Sequence, residues 1–393
     1  MNKLMIVGAS ILQLPAIKKA KGMGLYVGVA DYNPEAVGIP YADEYHNVST
    51  IDEAGVYEAA KAFKADGIMT LATDMPIRSV AYACEKLGLA GISYETALKA
   101  TDKGKMMRAF EVHNVARPWY YILNGPAELD QVIYSLTFPC ISKPTDNSGS
   151  RGVVLIENAE QLRTAVLYSF NQSRKGGVII EEYMQGPEVS VEVMVLNGVP
   201  YVLQVTDKVT TGAPHFVEMG HSQPSQLPLD TVSAIRDLAA KAVLAVGIQS
   251  GPAHVEIISD EQGPRMVELG ARMGGDCITT QLVPLSTGVD MVKATIQISL
   301  GMRPDIEPKM EKGAAIRYFN VPRGQIKSIN GADVSASIHG VREIAFTKNV
   351  GDHIGEVESS TDRMGFVVAQ SDNAREAIQV CEKALHMIHI NVA

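Results

Sequence analysis

The segment HVEIISDEQGPRMVELGARMGGD, residues 254–276, carries the strongest structural signal in this chain. Two runs rich in valine, isoleucine, methionine and leucine, 253–259 and 265–269, flank the sequence Asp-Glu-Gln-Gly-Pro. That intervening sequence has the composition of a turn, and the flanking runs have the composition of strands. We therefore expect a β-hairpin centred on Gln262.

In such a hairpin Ser259 faces Arg265, and Glu256 faces Glu268 directly. Two carboxylates side by side on one face of a sheet repel each other, and their burial costs more unless a cation pairs with them. A hard divalent cation that also holds phosphates would reverse this repulsion. The pair is therefore a candidate magnesium–nucleotide site, and the alternative is a solvated hairpin with two acids that bind nothing.

Composition excludes several classes of protein. The 393 residues suffice for two or three domains, and 46% hydrophobic with 20% charged residues allows large cores. A net charge of −9 argues against nonspecific nucleic-acid binding, and no apolar run is long enough to span a membrane. Four widely spaced cysteines without a CxxC motif indicate thiols in a reducing compartment, so we expect a cytoplasmic protein. They are Cys84, Cys140, Cys277 and Cys381.

The first hundred residues alternate predicted strands and helices, beginning with a strand at 4–7, a helix at 12–21 and a strand at 25–30. This βαβ rhythm predicts a parallel, doubly wound sheet. The first turn has one glycine, Gly8, where the dinucleotide fingerprint GxGxxG needs three. The pattern therefore favours a Rossmann-like domain without a dinucleotide site.

A second feature is SKPTDNSGSRGV, residues 142–153. Lys143 ends an apolar strand, and the glycine-containing turn after it could cover phosphates with its backbone N–H groups. Gly149 and Gly152 permit the dihedral angles and the close approach that this needs. The segment is not a Walker A loop, because the lysine precedes the glycines. The alternative is a hairpin loop with a solvated lysine.

A third feature is IIEEYMQGPEVSVEV, residues 179–193. A buried strand leads through an acid-rich turn into 188–195, whose alternating pattern predicts a half-exposed strand. Backbone groups and apolar side chains here could hold an adenine, and a carboxylate could hold a ribose; the alternative is a strand–turn–strand with exposed acids. Further on, 208–226 reads as a long loop with glycine, proline and two histidines, of the kind that forms lids.

The order of these features is more informative than any one of them. Lys103 at a helix start, a lysine before a glycine loop, an acid-rich strand–turn–strand, and two hairpin carboxylates followed by Arg272 occur in succession. This series resembles the ATP-grasp family of carboxylate–amine ligases over essentially the whole chain. Within that family it most resembles the L-amino acid ligase type, whose C-terminal lobe is similar to 311–393.

The resemblance implies an α/β and α+β multidomain fold. A Rossmann-like N-terminal domain would span 1–100, and an ATP-grasp nucleotide-binding domain 101–305, split near 186. A small α+β C-terminal domain would span 306–393. Clustered charge and proline indicate a linker at 303–312, around the start of that domain. The resemblance also favours a homodimer.

The resemblance also implies the site residues. Two lysines and the glycine loop would contact the ATP phosphates, one or both of the paired acids with the next two residues would hold adenine, and a later acid would hold ribose. These ATP-binding residues are Lys103, Lys143, Ser148, Gly149, Ser150, Gly152, Glu181, Glu182, Tyr183, Met184 and Glu188. Glu256 and Glu268 would ligate one or two Mg²⁺ (or Mn²⁺) ions. Arg272, with Lys143, would be catalytic by stabilising the acyl phosphate.

Two positions depart from the family pattern. Many members have Glu-x-Asn after the second hairpin strand, with the asparagine as a further metal ligand, and this chain has Gly270 there. Many also have a lysine beside the adenine acid, where this chain has Glu182, which leaves open whether Glu181 or Glu182 meets adenine. The number of metal ions is also open, because Gly270 cannot supply the further ligand.

The implied function is an ATP-dependent ligase that joins a small-molecule carboxylate to an amine, with two amino acids as a candidate pair of substrates. Alternatives are a biotin-carboxylase-like or purine-pathway ligase that uses bicarbonate or formate, and a non-catalytic ATP-binding regulatory protein. The glycine loop and 208–226 would be lids that exclude water. Candidate substrate contacts are Lys208, His215, Glu218, His221, Gly274 and Asp276, the last as a partner for a substrate ammonium group.

Overall fold

The computed structural model describes residues 1–147, 149, 151–213 and 215–393. Ser148 and Ser150, both predicted to contact ATP, lie outside the described residues. In the part of the chain that is described, no helix combines the length and the apolar character needed to cross a membrane.

The first region is a parallel sheet covered by helices, as predicted. Its elements are β1 (Lys3–Val7), α1 (Leu14–Gly22), β2 (Tyr26–Asp31), β3 (Glu44–Asn47), α2 (Glu53–Phe63), β4 (Gly67–Met69), α3 (Ile77–Leu87) and α4 (Tyr94–Ala100). The strands run in the order β3-β2-β1-β4, and each neighbouring pair is parallel. Residues 4–7 of β1 are fully buried, because helices cover both faces of the sheet.

The second region is a small antiparallel lobe. It contains α5 (Lys103–Val112), β5 (Tyr120–Leu123), α6 (Leu129–Val132), β6 (Cys140–Pro144), β7 (Val154–Ile156), α7 (Ala159–Gln172) and β8 (Val178–Glu182). Its sheet has the order β5-β8-β6-β7. The side chain of Asp102 accepts a hydrogen bond from the backbone N–H of Lys105 and so caps α5, which places Lys103 in the first turn of that helix.

The largest sheet has eight antiparallel strands in the order β13-β12-β9-β10-β11-β14-β18-β16. Its first part contains β9 (Glu188–Leu196), β10 (Val199–Thr210), β11 (Glu218–Gln223), α8 (Leu229–Val246), β12 (Gly251–Asp260) and β13 (Gly263–Gly270). Alternate valines of β9 and the apolar face of α8 belong to one buried core. This sheet carries the predicted metal hairpin at one edge.

Two expectations about this sheet are wrong. The strand at 188–195 is not half exposed, because β9 lies inside the sheet and is buried along 189–195. The segment 208–226 is not one long loop, because it contains the end of β10 and all of β11. Its glycine and histidines suggest a loop, but hydrogen bonding to β10 on one side and β14 on the other compensates for weak strand propensity.

The C-terminal part is α+β, as predicted. After α9 (Val283–Thr287) and α10 (Met291–Ser299), which precede residue 305, it contains β14 (Gly313–Tyr318), β15 (Gly324–Asn330), α11 (Ala332–Ala336), β16 (Val341–Phe346), β17 (His353–Ile354), β18 (Gly365–Ser371), α12 (Ala374–Met387) and β19 (His389–Val392). Strands β14, β18 and β16 extend the eight-stranded sheet, and β17-β15-β19 form a separate one. The domain boundaries at 100 and 305 stay a prediction.

Candidate active site

The hairpin of β12 and β13 places Glu256 directly opposite Glu268, so that part of the prediction is confirmed. The predicted pairing of Ser259 with Arg265 is wrong, because Ser259 pairs with Pro264. The turn contains two residues between the paired Asp260 and Gly263, so the strands near the turn are offset by one position from the predicted register. A β-bulge further along restores it.

The bulge lies at Val267, which the register passes over. Strict alternation would put Met266 and Glu268 on the same face of the strand. The extra residue reverses this, so that Met266 and Leu269 both join the buried core while Glu268 lines the opposite, open side. The bulge is therefore what aims the second carboxylate at the first.

A cavity of about 290 Å³ opens beside the hairpin, where the N-terminal sheet, the small lobe and the large sheet meet. Four of the predicted functional residues line it: Lys103, Glu256, Glu268 and Arg272. Charged residues that the sequence did not single out also line it, namely Asp74, Arg78, Arg174, Lys175 and His254. The structure thus brings the two predicted metal ligands together with three kinds of cationic side chain.

Lys103 connects the hairpin to the glycine loop. Its Nζ lies 3.0 Å from Oε2 of Glu268 and donates a hydrogen bond of 2.9 Å to the carbonyl oxygen of Asn147. Burial opposes the charge of Lys103, but the carboxylates of Glu268 and Asp74 outweigh it and raise the lysine pKa. Lys103 therefore stays charged where a phosphate would bind.

Lys208 is a buried counter-ion to three acids. Its Nζ lies 2.5 Å from Glu188, 3.4 Å from Glu256 and 3.7 Å from Glu218, and only 5% of its side chain is exposed. Burial opposes its charge, but the surrounding carboxylates raise its pKa. Lys208, predicted to touch substrate, therefore links the predicted ribose acid to a predicted metal ligand.

We expect Lys208→Met to destabilise the protein by about 3–5 kcal/mol, because it leaves three carboxylates without their buried partner. Urea denaturation, followed by circular dichroism, measures this loss. Lys241→Met is the matched control, since Lys241 is exposed and its Nζ bonds only the carbonyl oxygen of Asn114 in the described contacts. Equal stability of the two variants would contradict the assignment.

His254 is a cation in this site. Its Nδ1 lies 2.6 Å from Oε1 of the fully buried Glu192, and its Nε2 lies 3.4 Å from Oε1 of Glu256. Burial lowers the pKa of a histidine, but the two glutamates outweigh it and raise the pKa of His254 to about 9. Gly274 makes room for this pair, since a Cβ there would lie 2.6 Å from Nδ1 of His254.

Glu256 responds to the same charges. Burial would raise its pKa, yet Lys208, His254 and Arg272 hold it well below its usual range. The side chain is therefore ionised, as a metal ligand must be. These cations also explain why two adjacent carboxylates are tolerated in the absence of a metal.

Arg272 is held by an acid from the N-terminal sheet region. Its Nε and Nη2 donate to Oδ1 and Oδ2 of Asp74 at 2.9 and 3.2 Å, and its Nη1 donates to the carbonyl oxygen of Met273. Burial opposes its charge, but Asp74 and the hairpin glutamates raise the pKa of Arg272 further. Of the five N–H groups of the guanidinium, two have no acceptor among the described residues.

The predicted nucleotide end lies on β6 and β8. Lys143 Nζ and Glu181 Oε2 form a buried ion pair of 2.6 Å, and Glu182 accepts a 2.7 Å bond from Arg265. Among the described residues, the buried Oε1 of Glu181 has no hydrogen-bond partner. A buried acceptor without a donor fits a ligand with an amino group, so these residues fit ATP, with Met184 buried beside them.

The two glycines of the phosphate loop both have positive φ angles, +65° at Gly149 and +81° at Gly152. Gly149 is exposed. Gly152 has a packing reason for being glycine, because a Cβ there would lie 2.7 Å from Pro144 and from Gln172. The role of this loop as a lid over phosphates stays a prediction.

A second cluster contains the other predicted substrate contacts. Nε2 of His221 lies 3.4 Å from Asp276, and both oxygens of Asp276 accept bonds of 2.7 Å from Arg363. Arg363 stacks on the ring of Tyr318 at 3.7 Å. Asp276, predicted to receive a substrate ammonium group, is therefore already paired with Arg363 and in contact with His221. Among the described residues that line the cavity, His215 is absent.

Sequence reasoning missed some of these residues for different reasons. His254 could have been found, because it lies two positions before Glu256 and therefore on the same face of the strand. Asp74 and Arg363 could not, because 198 and 87 residues separate them from their partners, Arg272 and Asp276. Only the assembled fold brings these pairs together.

Within the described ranges, no cluster of three or more histidine, cysteine or acidic side chains could hold a metal by itself. Glu256 and Glu268 are nevertheless two opposed carboxylates on a cavity wall, which is the kind of oxygen donor that Mg²⁺ uses. Mg²⁺ commonly takes one or two carboxylates together with substrate phosphates and water. The donor set therefore fits an ion that shares its ligands with ATP.

Comparisons with known proteins identify two domains in the chain. Residues 136–280 match the ATP-grasp domain, and residues 317–393 match the L-amino acid ligase C-terminal domain 2. These matches confirm the predicted resemblance: the chain contains an ATP-grasp domain and an L-amino acid ligase C-terminal domain, and its relatives indicate an ATP-dependent ligase that forms C–N bonds.

Individual relatives have low sequence identity to this chain. Alanine–anticapsin ligase of Bacillus subtilis is 28% identical over 292 residues, which are 68% of this chain and 61% of that protein. The formate-dependent phosphoribosylglycinamide formyltransferase of Salmonella paratyphi A is 23% identical over 99% of this chain and 96% of its own. The chain spans 32% of human carnosine synthase 1, at 23% identity over 62% of this chain.

Among solved structures, the L-amino acid ligase of Bacillus licheniformis covers 100% of this chain and 99% of its own, with a TM-score of 0.86 and 22% identity. At that identity the likeness concerns the fold. It confirms the mixed α/β multidomain architecture.

Proposed function

We propose that this protein activates a substrate carboxylate as an acyl phosphate with ATP and couples it to an amine, with amino acids as the favoured class of substrate. The observation that carries the proposal is the position of Arg272, which lies in the same cavity as Glu256 and Glu268 and has two N–H groups without an acceptor among the described residues. A protein that only binds ATP needs the metal ligands, but it does not need an arginine with free guanidinium donors in the same cavity.

The proposed reaction has two steps. A carboxylate oxygen attacks the γ-phosphorus of ATP, the bond to the bridging oxygen breaks, and ADP leaves. The amine nitrogen then attacks the acyl carbon, loses a proton, and inorganic phosphate leaves with the bonding electrons. Both anionic partners of the first step need positive charge, which Lys103 and Arg272 supply within the cavity.

Three further side chains have defined roles in this scheme. Glu256 and Glu268 would hold Mg²⁺, which when bound neutralises phosphate charge. His254 is unsuited to accept the amine proton, because its pKa of about 9 keeps it protonated at neutral pH. It contributes positive charge and holds Glu256 in place through their 3.4 Å contact.

The test is phosphate release from ATP with the mixed natural amino acids, followed by mass spectrometry of the products. We expect release that requires ATP, a divalent cation and amino acids together, and a product heavier than either amino acid. Parallel reactions with bicarbonate or formate and an amine test the alternative carboxylates. If phosphate is released only with bicarbonate or formate, amino acids are not the substrates. If the protein binds ATP but releases no phosphate under any condition, the proposal of a ligase is wrong.

The oligomeric state, the cellular location and the partners of the protein are also proposals. A homodimer in the cytoplasm is consistent with the family, and light scattering of the purified protein measures its mass in solution. Small carboxylates and amines are the proposed partners, because the cavity of about 290 Å³ suits small molecules.

A further inference from the structure

Gly270 is glycine for a steric reason. It ends β13, and its φ angle is outside the left-handed range that favours glycine. A Cβ added to it would lie 2.8 Å from Oδ1 of Asp74 and 3.0 Å from Nε of Arg272. Such distances are below ordinary carbon–polar contacts, so any larger residue at 270 would displace this ion pair.

Asp74 comes from a different part of the chain. It follows β4 in the N-terminal sheet, at a bend where Ala72 has a φ angle of +53°. Its carboxylate reaches across the cavity, and both oxygens accept bonds from Arg272. The space that a residue-270 side chain would need is therefore filled from another region by the Asp74 carboxylate.

We propose that Asp74 is a positioning residue for Arg272, and that Gly270 and Asp74 form one steric unit in which the glycine exists to admit the carboxylate. This inference rests on the proposed function, because it assigns Arg272 a task on the phosphorylated substrate. The two bonds fix the plane of the guanidinium, so that its unused N–H groups keep one direction.

The charges around Arg272 show what Asp74 prevents. Glu256 and Glu268 also attract the guanidinium. Without Asp74, the two proposed metal ligands in the same cavity would be the anions that still attract Arg272, so the side chain would turn toward them and compete with a divalent cation. Asp74 therefore keeps Arg272 available to substrate and keeps the carboxylates available to metal.

Asp74→Asn is the first test, because it keeps the shape and removes the charge. We expect kcat for ligation to fall about 10–100-fold, the effect of misplacing a group by about 1 Å. The KM for ATP should change less than about threefold, since Asp74 has no described contact with the nucleotide end. The Mg²⁺ concentration for half-maximal rate should rise.

Asp43→Asn is the matched control. Asp43 also belongs to the N-terminal sheet region, pairs with a lysine at 2.6 Å, and is exposed to a similar extent, 23% against 25% for Asp74. It does not line the cavity. We expect a loss of kcat from Asp74→Asn alone, whatever stability each variant loses.

The steric unit has its own test, a double-mutant cycle. Gly270→Asn alone should lower the melting temperature and the rate, because the new side chain displaces Asp74. Adding Asp74→Gly should recover the melting temperature relative to Gly270→Asn, giving a coupling that independent sites lack. Additive losses of stability would overturn the steric part of the proposal.

A readout without turnover separates this inference from the proposed function. In arginine-detected ¹⁵N NMR, the Nε–H of Arg272, assigned with Arg272→Lys, should exchange slowly with water in the wild type and rapidly in Asp74→Asn. If the Nε–H of Arg272 exchanges slowly but the wild type has no ligase activity, the proposed function is wrong and the ion pair with Asp74 is still supported. Ligase activity with unchanged kcat in Asp74→Asn would refute the positioning role.

Discussion

Replacing Arg272 by methionine is expected to lower kcat for ligation by about 10²–10³-fold and to leave ATP binding within about threefold of wild type. Methionine keeps much of the length and the apolar stem but removes all five N–H donors. The donors that remain free of protein partners face developing negative charge on the transferred phosphoryl group. Loss of such a preorganised donor costs the transition state more than the ground state.

The physical reason lies in the setting of Arg272. Only 14% of its side chain is exposed, so its charge acts with less screening than a surface arginine would have. The removal of Arg272 also leaves Asp74 without its partner, which adds negative charge where the carboxylate and the γ-phosphate must approach each other. Both effects act in the same direction, on the approach of two anions.

The measurement is product formation by mass spectrometry at saturating ATP, with ATP affinity measured separately by calorimetry. Arg236→Met is a suitable control, because Arg236 is part-buried on α8 and donates to the carbonyl oxygen of Val202, away from the cavity. Added guanidinium ion should restore part of the activity of Arg272→Met and none in the control. Full activity without rescue would show that Arg272 has no role on substrate.

The sequence was sufficient for the metal hairpin because local signals there agree. Turn composition, apolar runs and two glutamates at matching distance predicted the pairing of Glu256 with Glu268. The turn shifts the register of the two strands by one residue from the predicted register. The bulge at Val267 shifts it back, so that Glu256 and Glu268 still pair. A bulge of this kind leaves little trace in the local pattern.

The alternating sequence of β9 correctly predicts a strand, but it wrongly predicts that the polar face of that strand contacts solvent. Glu188, Ser190 and Glu192 do share one face, and that face meets His254 and Glu256 of β12. Alternation identifies a face but cannot tell water from a buried polar partner on another strand. Two neighbouring polar faces, each with acids or histidine, would have been the signal.

The segment 208–226 shows a different limit. Glu218–Gln223 has the composition of a loop, yet it forms an inner strand, because hydrogen bonds from both neighbours hold it. Long-range pairs such as Asp74 with Arg272 have no local signal at all. Charges that meet only through the assembled fold are therefore the part of the site that the sequence left out.

Replacing Glu268 by glutamine is expected to raise the Mg²⁺ concentration for half-maximal activity at least about tenfold. Glutamine keeps the size of the side chain but removes the charge that a hard cation requires. Glu268 also pairs with Lys103 at 3.0 Å, so the variant leaves an excess of positive charge that repels a metal ion. Glu256→Gln should behave alike, but with Lys208 still paired to Glu188.

Binding of Mn²⁺ in the presence of ATP, followed by electron paramagnetic resonance, tests this without turnover. Glu261→Gln, in the exposed hairpin turn, is the control and should bind Mn²⁺ like the wild type. Removal of divalent ions with EDTA should abolish activity in all variants, and excess Mg²⁺ should restore the wild type at lower concentrations than Glu268→Gln. If Glu268→Gln bound Mn²⁺ as tightly as wild type, the ion would have to depend on phosphate oxygens alone, and the opposed carboxylates would serve only to hold Lys103 and Lys208.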